Sequence, residues 1–168
     1  MQMENVTADT LQVVVFSLVD AESKKKEDYG IPVENVREIR LLENITRVPN
    51  TPLHVKGLMN LRGKIIYVID VKKLLGFSVS DEINVNSRIL ISEINGGLTG
   101  LLVDEVSDVL RISTKEIDYD MSTELKAEQY FKGVIKIGEK LIILLDVHNL
   151  IVEKKDQSYD QSVIQAEV

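Results

Sequence analysis

The chain has 168 residues, a formal net charge of −7 at pH 7 and no cysteine. The lack of cysteine excludes a disulfide framework, thiolate metal sites and thiol catalysis. The negative charge argues against nucleic acid as a partner, because neutralising phosphates requires a concentrated basic surface. No apolar run approaches the roughly 20 residues of a membrane-spanning helix. The N-terminus lacks the pattern of a secretory signal, so we expect a cytoplasmic protein that does not insert into a membrane.

Short apolar runs rich in β-branched residues recur along the chain and predict strands. They lie at residues 13–16, 65–69, 89–91 and 141–145. Runs of about four to eight residues are typical of buried strands rather than of helices.

Turn signals separate these runs. Glycine turns are predicted at 62–63, 95–97 and 137–138. Pro49 and Pro52 predict an irregular connection, because proline cannot donate a hydrogen bond within a central strand.

Two short helices are predicted directly after two of the strands. Asp70 and Asp146 stand where these helices would begin, so we expect both carboxylates to act as N-caps, and Gly76 closes the first helix. Several short strands in each half favour small barrels over open sheets, because closure removes exposed edges. The residues therefore predict a mainly β fold of two small antiparallel barrels with a few short helices.

An internal duplication is visible when the chain is shifted against itself. At a shift of 76 residues, 55–75 aligns with 131–151 without a gap. The identical positions are Lys56, Gly57, Lys64, Ile66, Asp70, Val71 and Leu74, which meet Lys132, Gly133, Lys140, Ile142, Asp146, Val147 and Leu150. Matched glycines and aspartates are hard to explain by the general similarity of β-rich sequences. At a shift of 70 residues, 29–40 aligns with 99–110 in the same order.

The duplication predicts one domain at 11–152, made of two similar subdomains. The first is expected at about 11–86 and the second at about 87–152. The segments 1–10 and 153–168 are expected to be flexible termini.

Residues able to carry catalysis are sparse. His54 and His148 are far apart and lack a second ligand at metal spacing, so both are expected at the surface or its boundary. Asp70 and Asp146 are interpreted as helix caps rather than as a catalytic pair. We therefore predict no enzymatic activity, no cofactor and no metal site.

The segment at 55–71 resembles the central signature of the CheW family of chemotaxis adaptors. In that family, an aliphatic-Gly-aliphatic-x-Asn-Leu-Arg-Gly run precedes an apolar strand and an aspartate. The matching residues are Gly57, Asn60, Leu61, Arg62, Gly63 and Asp70. The segments 29–40 and 100–110 resemble two further stretches of the family, and the similarity covers about 13–150. Tyr67 departs from the family pattern, which usually has proline there.

The resemblance implies two SH3-like five-stranded barrels, no catalytic activity and two classes of partner. One partner is the cytoplasmic signalling tip of a chemoreceptor, and the other is the regulatory domain of the histidine kinase CheA. The adaptor is expected to be a monomer alone and to join a membrane-associated receptor array with its partners. The site on this chain that binds the kinase cannot be assigned from the residues.

In the family, the stretches around 36–39 and 106–109 line a groove that takes the helical hairpin of the receptor. The receptor-binding residues predicted from this resemblance are Val36, Arg37, Glu38, Ile39, Gly57, Asn60, Arg62, Val106, Asp108 and Val109. For the aliphatic members, the alternative is that they belong to the core.

Differences between the two copies sharpen one of these assignments. Asn60 and Arg62 align with Lys136 and Gly138, so the barrel itself does not require asparagine or arginine there. We hypothesise that Arg62 pairs with Glu38 and thereby shapes the receptor-facing surface. The alternative is an ordinary surface arginine, whose exposed pairing would contribute about 0–1 kcal/mol.

Three alternative functions are open. The same fold could serve a different receptor–kinase pathway, or a small barrel could bind nucleic acid. A hydrolase using aspartate and histidine would need a perturbed carboxylate beside His54 or His148.

Overall fold

The computed structural model of the protein describes residues 9–82, 84–120 and 130–151. The predicted flexible segments at 1–10 and 153–168 lie outside these residues, except for Asp9 and Thr10. Thr10 begins the first strand, where it pairs with Ser113.

The described chain is mainly β, as predicted. The strands are β1 (Thr10–Val19), β2 (Lys26–Pro32), β3 (Val36–Leu41), β4 (Val55–Leu61), β5 (Lys64–Asp70), β6 (Arg88–Ile94), β7 (Gly97–Val103), β8 (Glu105–Ser113), β9 (Ile117–Asp118), β10 (Phe131–Ile137) and β11 (Lys140–Leu145). The helical segments are α1 (Val71–Leu74), residues 147–151 and two short 3-10 helices, Val33–Asn35 and Thr114–Glu116. All four runs predicted as strands are confirmed.

The strands form two sheets with the same internal order. One has the order β8-β1-β2-β11-β10-β9 and the other the order β3-β6-β7-β5-β4. The alignment of the two copies makes β8, β2, β11 and β10 equivalent to β3, β7, β5 and β4, and β1 and β6 hold the matching second place in the two orders. The sheets therefore repeat one another strand by strand, which confirms the duplication.

The two sheets do not follow the two halves of the sequence. The strands β1 and β2 lie with β8 to β11, whereas β6 and β7 lie with β3 to β5. The predicted boundary between 86 and 87 therefore does not separate the sheets. The chain crosses from one sheet to the other after β2 and again after β7, so each copy supplies strands to both. The hydrophobic pattern specifies which face of a strand is buried, but it does not specify the partner strand.

Each sheet closes into a barrel because a segment of the chain connects its two edge strands. In the five-stranded sheet β3 and β4 lie at opposite edges, yet Thr46, which follows β3, forms a β-bridge with Leu58 of β4. In the six-stranded sheet, the edge strands β8 and β9 are joined by the 3-10 helix Thr114–Glu116. The prediction of two five-stranded barrels is confirmed, with the two-residue β9 added to one of them. We refer to them as the five-stranded and the six-stranded barrel.

One pairing in each barrel is parallel, between β2 and β11 and between β5 and β7. The sequence predicts antiparallel barrels, and these two parallel pairs depart from that prediction. Parallel neighbours cannot be joined by a tight hairpin. The connection from β2 to β11 runs through the other barrel, and the connection from β5 to β7 runs through α1 and β6 of the same barrel.

Buried side chains form three clusters. One cluster fills the six-stranded barrel, one fills the five-stranded barrel, and the largest lies between them. Val13 and Val15 of β1 belong to the first, whereas Val14, Phe16 and Leu18 belong to the shared one. Burial of β1 on both faces explains why its sequence is almost continuously apolar.

The two predicted helix caps are confirmed. An Asp70 carboxylate oxygen accepts a hydrogen bond from the backbone N–H of Lys72 at 3.1 Å, and Asp146 accepts one from Asn149 at 3.1 Å. Their own backbone N–H groups donate to the carbonyls of His54 and Tyr130 in the same way. Equivalent residues therefore perform the same structural task in each copy.

Candidate functional site

The edge strand β3 carries the first group of predicted site residues. A β-bulge interrupts its pairing with β6 between Val36 and Glu38, which leaves Arg37 unpaired in the ladder. Beyond the bulge, side chains alternate between the two faces of a strand. Ile39 is 42% exposed, and it lies on the opposite face of β3 from Glu38.

The turn between β4 and β5 carries the second group. Arg62 and Gly63 have φ angles of 49° and 86°, so both occupy the left-handed region that type I′ hairpin turns require. Asn60 supports the turn, because its side-chain oxygen accepts a hydrogen bond from the Gly63 N–H at 2.7 Å. A side chain in the left-handed region is unfavourable for a residue such as arginine. The equivalent residue of the other barrel is Gly138, at φ 60°.

The structure confirms the predicted contact between Arg62 and Glu38. The guanidinium of Arg62 donates two hydrogen bonds to the carboxylate, at 2.7 and 3.2 Å. Two parallel bonds of this kind fix orientation as well as distance. Hydrogen bonds from Arg62 and Arg40 lower the pKa of Glu38 to about 2, so its carboxylate is ionised at neutral pH.

Arg40 and Glu43 extend this contact into a chain of four charges, which the sequence analysis missed. Arg40 donates to Glu38 at 3.0 Å and to Glu43, and hydrogen bonds to both raise its pKa. The spacing of Glu38 and Arg40 places both on one face of β3, because strand side chains alternate with a period of two. That spacing was the signal available in the sequence. We call Arg62, Glu38, Arg40 and Glu43 the charged chain.

Two further predicted residues lie near β3 and β4 with different surroundings. Arg37 is exposed and donates a 2.6 Å hydrogen bond to Glu93 of β6. Gly57 is buried, with φ 153°, and a Cβ added there would lie 2.3 Å from the carbonyl oxygen of Thr46. Glycine at this position therefore permits the bridge that closes the five-stranded barrel.

The last group lies on β8, at the edge of the other barrel's sheet. Asp108 and Val109 are exposed, Val109 to 53%. A bulge at Ser107 matches the bulge at Arg37 of β3, so the two copies repeat this irregularity. The predicted residues of β3 and β8 therefore occupy equivalent places on two different barrels.

The four predicted aliphatic anchors divide into two pairs. Val36 and Val106 are partly buried and pack against the core shared by the barrels. Ile39 and Val109 are exposed. Only the second pair offers a large apolar surface to a partner.

Comparison with known proteins identifies the family. A family model described as the CheW-like domain matches residues 12–155. The chain belongs to the CheW family. It is similar to the chemotaxis protein CheW of Klebsiella aerogenes, with 36% identity over 129 residues, which is 74% of this chain and 75% of the relative. It is also 36% identical to the chemotaxis protein CheW of Thermotoga maritima over 121 residues, covering 72% of this chain and 78% of that one.

A solved CheW structure has the same architecture. The scaffolding protein TtCheW from Thermoanaerobacter tengcongensis superimposes with a TM-score of 0.71 at 38% sequence identity. The match covers 83% of this chain and 86% of that one. Two SH3-like barrels are thus the fold of this CheW-family chain.

A mostly buried ion pair joins the barrels of this CheW-family chain and was also missed from sequence. Asp104, between β7 and β8, lies 3.1 Å from the Lys72 ammonium of α1. The same carboxylate accepts a hydrogen bond from the backbone N–H of Val19, at the end of β1, at 2.7 Å. Asp104, in the segment where the chain crosses between the barrels, therefore contacts α1 of one barrel and β1 of the other. These residues are 32 and 85 positions apart from Asp104, so local patterns cannot reveal the contact.

The predicted histidine positions agree with the structure, since His148 is exposed and His54 is half-buried. Among the described residues, no group of three or more potential metal-ligating side chains occurs. Within that same part of the CheW-family chain, no helix is long and apolar enough to cross a membrane.

Proposed function

We propose that this protein is a non-catalytic adaptor that couples methyl-accepting chemoreceptors to the histidine kinase CheA in chemotaxis. Membership of the CheW family supports this function. The observation that carries it is the contact between Arg62 and Glu38. Arg62 adopts an unfavourable left-handed backbone at a position where the sister barrel uses glycine, and strain of this kind concentrates at functional sites.

The receptor-facing surface is proposed to lie on the exposed parts of β3, β8 and the turn between β4 and β5. Ile39 and Val109 supply apolar anchors for a helical hairpin, whereas Arg62 and Asp108 supply charges that orient it. Arg37 and Asn60 complete the exposed part of the surface.

The buried members of the predicted set support this surface from beneath. Val36 and Val106 hold β3 and β8 on the shared core, and Gly57 allows the chain after β3 to reach β4. Changes at these three positions therefore act on binding through the position of the surface residues.

The second partner is the regulatory domain of CheA. A scaffold that holds receptor and kinase together raises the effective concentration of each further contact, so modest affinities of micromolar order are sufficient for a stable assembly. The adaptor is proposed to be a cytoplasmic monomer that joins membrane-associated receptor arrays through these partners. A CheW-like scaffold in another receptor–kinase pathway would use the same contacts.

The test is co-sedimentation of the full chain with a soluble chemoreceptor signalling hairpin and with the CheA regulatory domain. The wild-type protein is expected to sediment with each partner alone and with both together. Ile39→Glu is expected to lose the receptor hairpin and keep the kinase domain. Leu141→Glu is the matched control, since Leu141 is a similarly exposed aliphatic residue of β11 outside the proposed surface. Retention of neither partner by folded wild-type protein would contradict the proposal.

A further inference from the structure

Arg40 holds a position that the sister barrel fills with a core residue. The alignment of the two copies pairs Arg40 with Leu110, which packs against the core of the six-stranded barrel. The Arg40 side chain is 27% exposed, and its guanidinium is engaged by two carboxylates. Because the equivalent barrel folds with leucine there, a charged side chain at this position is not a requirement of the fold.

The contacts of Arg40 converge on the residue that orients Arg62. One Glu38 oxygen accepts hydrogen bonds from Arg40 at 3.0 Å and from Arg62 at 3.2 Å. Within the charged chain, the other Glu38 oxygen accepts one hydrogen bond, from Arg62 at 2.7 Å. Arg40 thus holds the carboxylate from the side of β3, while the Arg62 guanidinium remains the exposed end, with 67% of its side chain accessible.

Glu43 fixes Arg40 in turn. Both the Nε and one terminal nitrogen of Arg40 donate to the same Glu43 oxygen. From Glu43, which follows β3, to Arg62 in the turn, the four side chains alternate in charge. A planar guanidinium with several bonded donors loses freedom to rotate, so its contact with Glu38 has one defined geometry.

We propose that Arg40, braced by Glu43, is a positioning residue that sets the orientation of Glu38 and thereby of the Arg62 guanidinium presented to the receptor. The inference rests on the proposed function, since it concerns the same surface. Arg40 itself touches no partner in this scheme. Arg40 affects binding by holding Glu38, so its effect should depend on Glu38. A residue that contacted the receptor directly would not show this dependence.

The test is a double-mutant cycle on the full chain, read by titration with the soluble chemoreceptor signalling hairpin. Arg40→Leu, which installs the sister residue, is expected to weaken binding about tenfold in the wild-type background. In the Glu38→Gln background the same change is expected to weaken binding less than about twofold, because the coupled residue is already altered. Equal losses in both backgrounds, or no loss in the wild type, would overturn the inference.

Two controls keep the outcomes distinct. Glu43→Gln leaves Arg40 in place but weakens its brace, and it is expected to reduce binding in the wild-type background and not in the Glu38→Gln background. This variant decides the matter if Arg40→Leu does not fold. Wild-type protein that does not bind the hairpin would overturn the proposed function and this inference with it. Normal wild-type binding with an unaffected Arg40→Leu variant would overturn the inference alone.

Discussion

Arg62 donates two hydrogen bonds to Glu38, at 2.7 and 3.2 Å, across two strands that lie at opposite edges of one five-stranded sheet. The contact is possible because the sheet closes into a barrel. It brings a turn residue with a left-handed backbone against the strand that follows the crossing between barrels. The charged surface of this adaptor is therefore a product of barrel closure.

Replacing Arg62 with glycine, the residue at the equivalent position of the other barrel, should affect receptor binding without affecting the stability of the fold. Arg62→Gly removes the contact with Glu38 and also relieves the left-handed backbone, which glycine adopts without steric cost. We expect loss of receptor-hairpin binding with a free energy of unfolding close to that of the wild type. Urea unfolding and a binding titration check both parts. A strongly destabilised variant would show that Arg62 serves the fold.

Acid should weaken the contact between Glu38 and Arg62 in a defined window. The folded-state pKa of Glu38 is about 2, below its ordinary value of 4.5, so the carboxylate is favoured in the folded state. Its contribution to stability is present above pH 4.5 and is lost as the pH falls towards about 2. Over this window the wild type should lose more stability than Glu38→Gln, as measured by chemical unfolding at several pH values. Parallel curves for the two proteins would refute the assignment.

Charge introduced on β3 should act differently at neighbouring positions. Val36→Glu places a carboxylate against the shared core and is expected to destabilise the protein by about 2 kcal/mol or more, because the charge has no partner there. Ile39 is 42% exposed, so Ile39→Glu should change stability by less than about 0.5 kcal/mol while reducing receptor binding. Thermal unfolding followed by circular dichroism distinguishes them. Similar unfolding temperatures for the two variants would contradict the assigned difference in burial.

The pair of Lys72 and Asp104 should stabilise the joint between barrels. Asp104→Ala leaves the Lys72 ammonium and the Val19 N–H without this acceptor, and we expect a loss of roughly 3 kcal/mol. The double variant Lys72→Met with Asp104→Ala should lose less than the sum of the single changes, because no charge then stays buried alone. Denaturant unfolding of all four proteins measures the coupling. Additive losses would mean that the pair contributes nothing as a pair.

Local features of the fold could be predicted well from sequence, and long-range pairing could not. The apolar run of β1 and the caps at Asp70 and Asp146 follow from patterns within a few residues. The exchange of strands between barrels does not follow from such patterns, because no residue of β3 or β8 specifies the strand with which it pairs. The copies resemble one another so closely that either sheet could accept either edge strand by pattern alone.

The candidate site shows the same division. Comparing the two copies shows that the barrel does not require arginine at position 62, because the sister residue is Gly138. The comparison does not select the partner, since Glu38 aligns with another acid, Asp108, so the contact with Glu38 was a hypothesis that the structure confirms. The same comparison pairs Arg40 with Leu110, which marks Arg40 as dispensable for the barrel in the same way. Val36 and Ile39 could not be separated from the sequence, because both are aliphatic and they differ in burial rather than in face. Val36 pairs with Ser92 and Ile39 with Leu90, which lie on one face of β6. Which of the two is covered depends on the distant elements that pack there.

The adaptor function is tested most directly by the autophosphorylation rate of CheA mixed with receptor-containing membranes, with and without this protein. The account predicts that receptors control the kinase only when the adaptor is present. Folded Arg62→Gly protein is expected not to restore that control. Equal receptor control of the kinase with and without the protein would contradict the account.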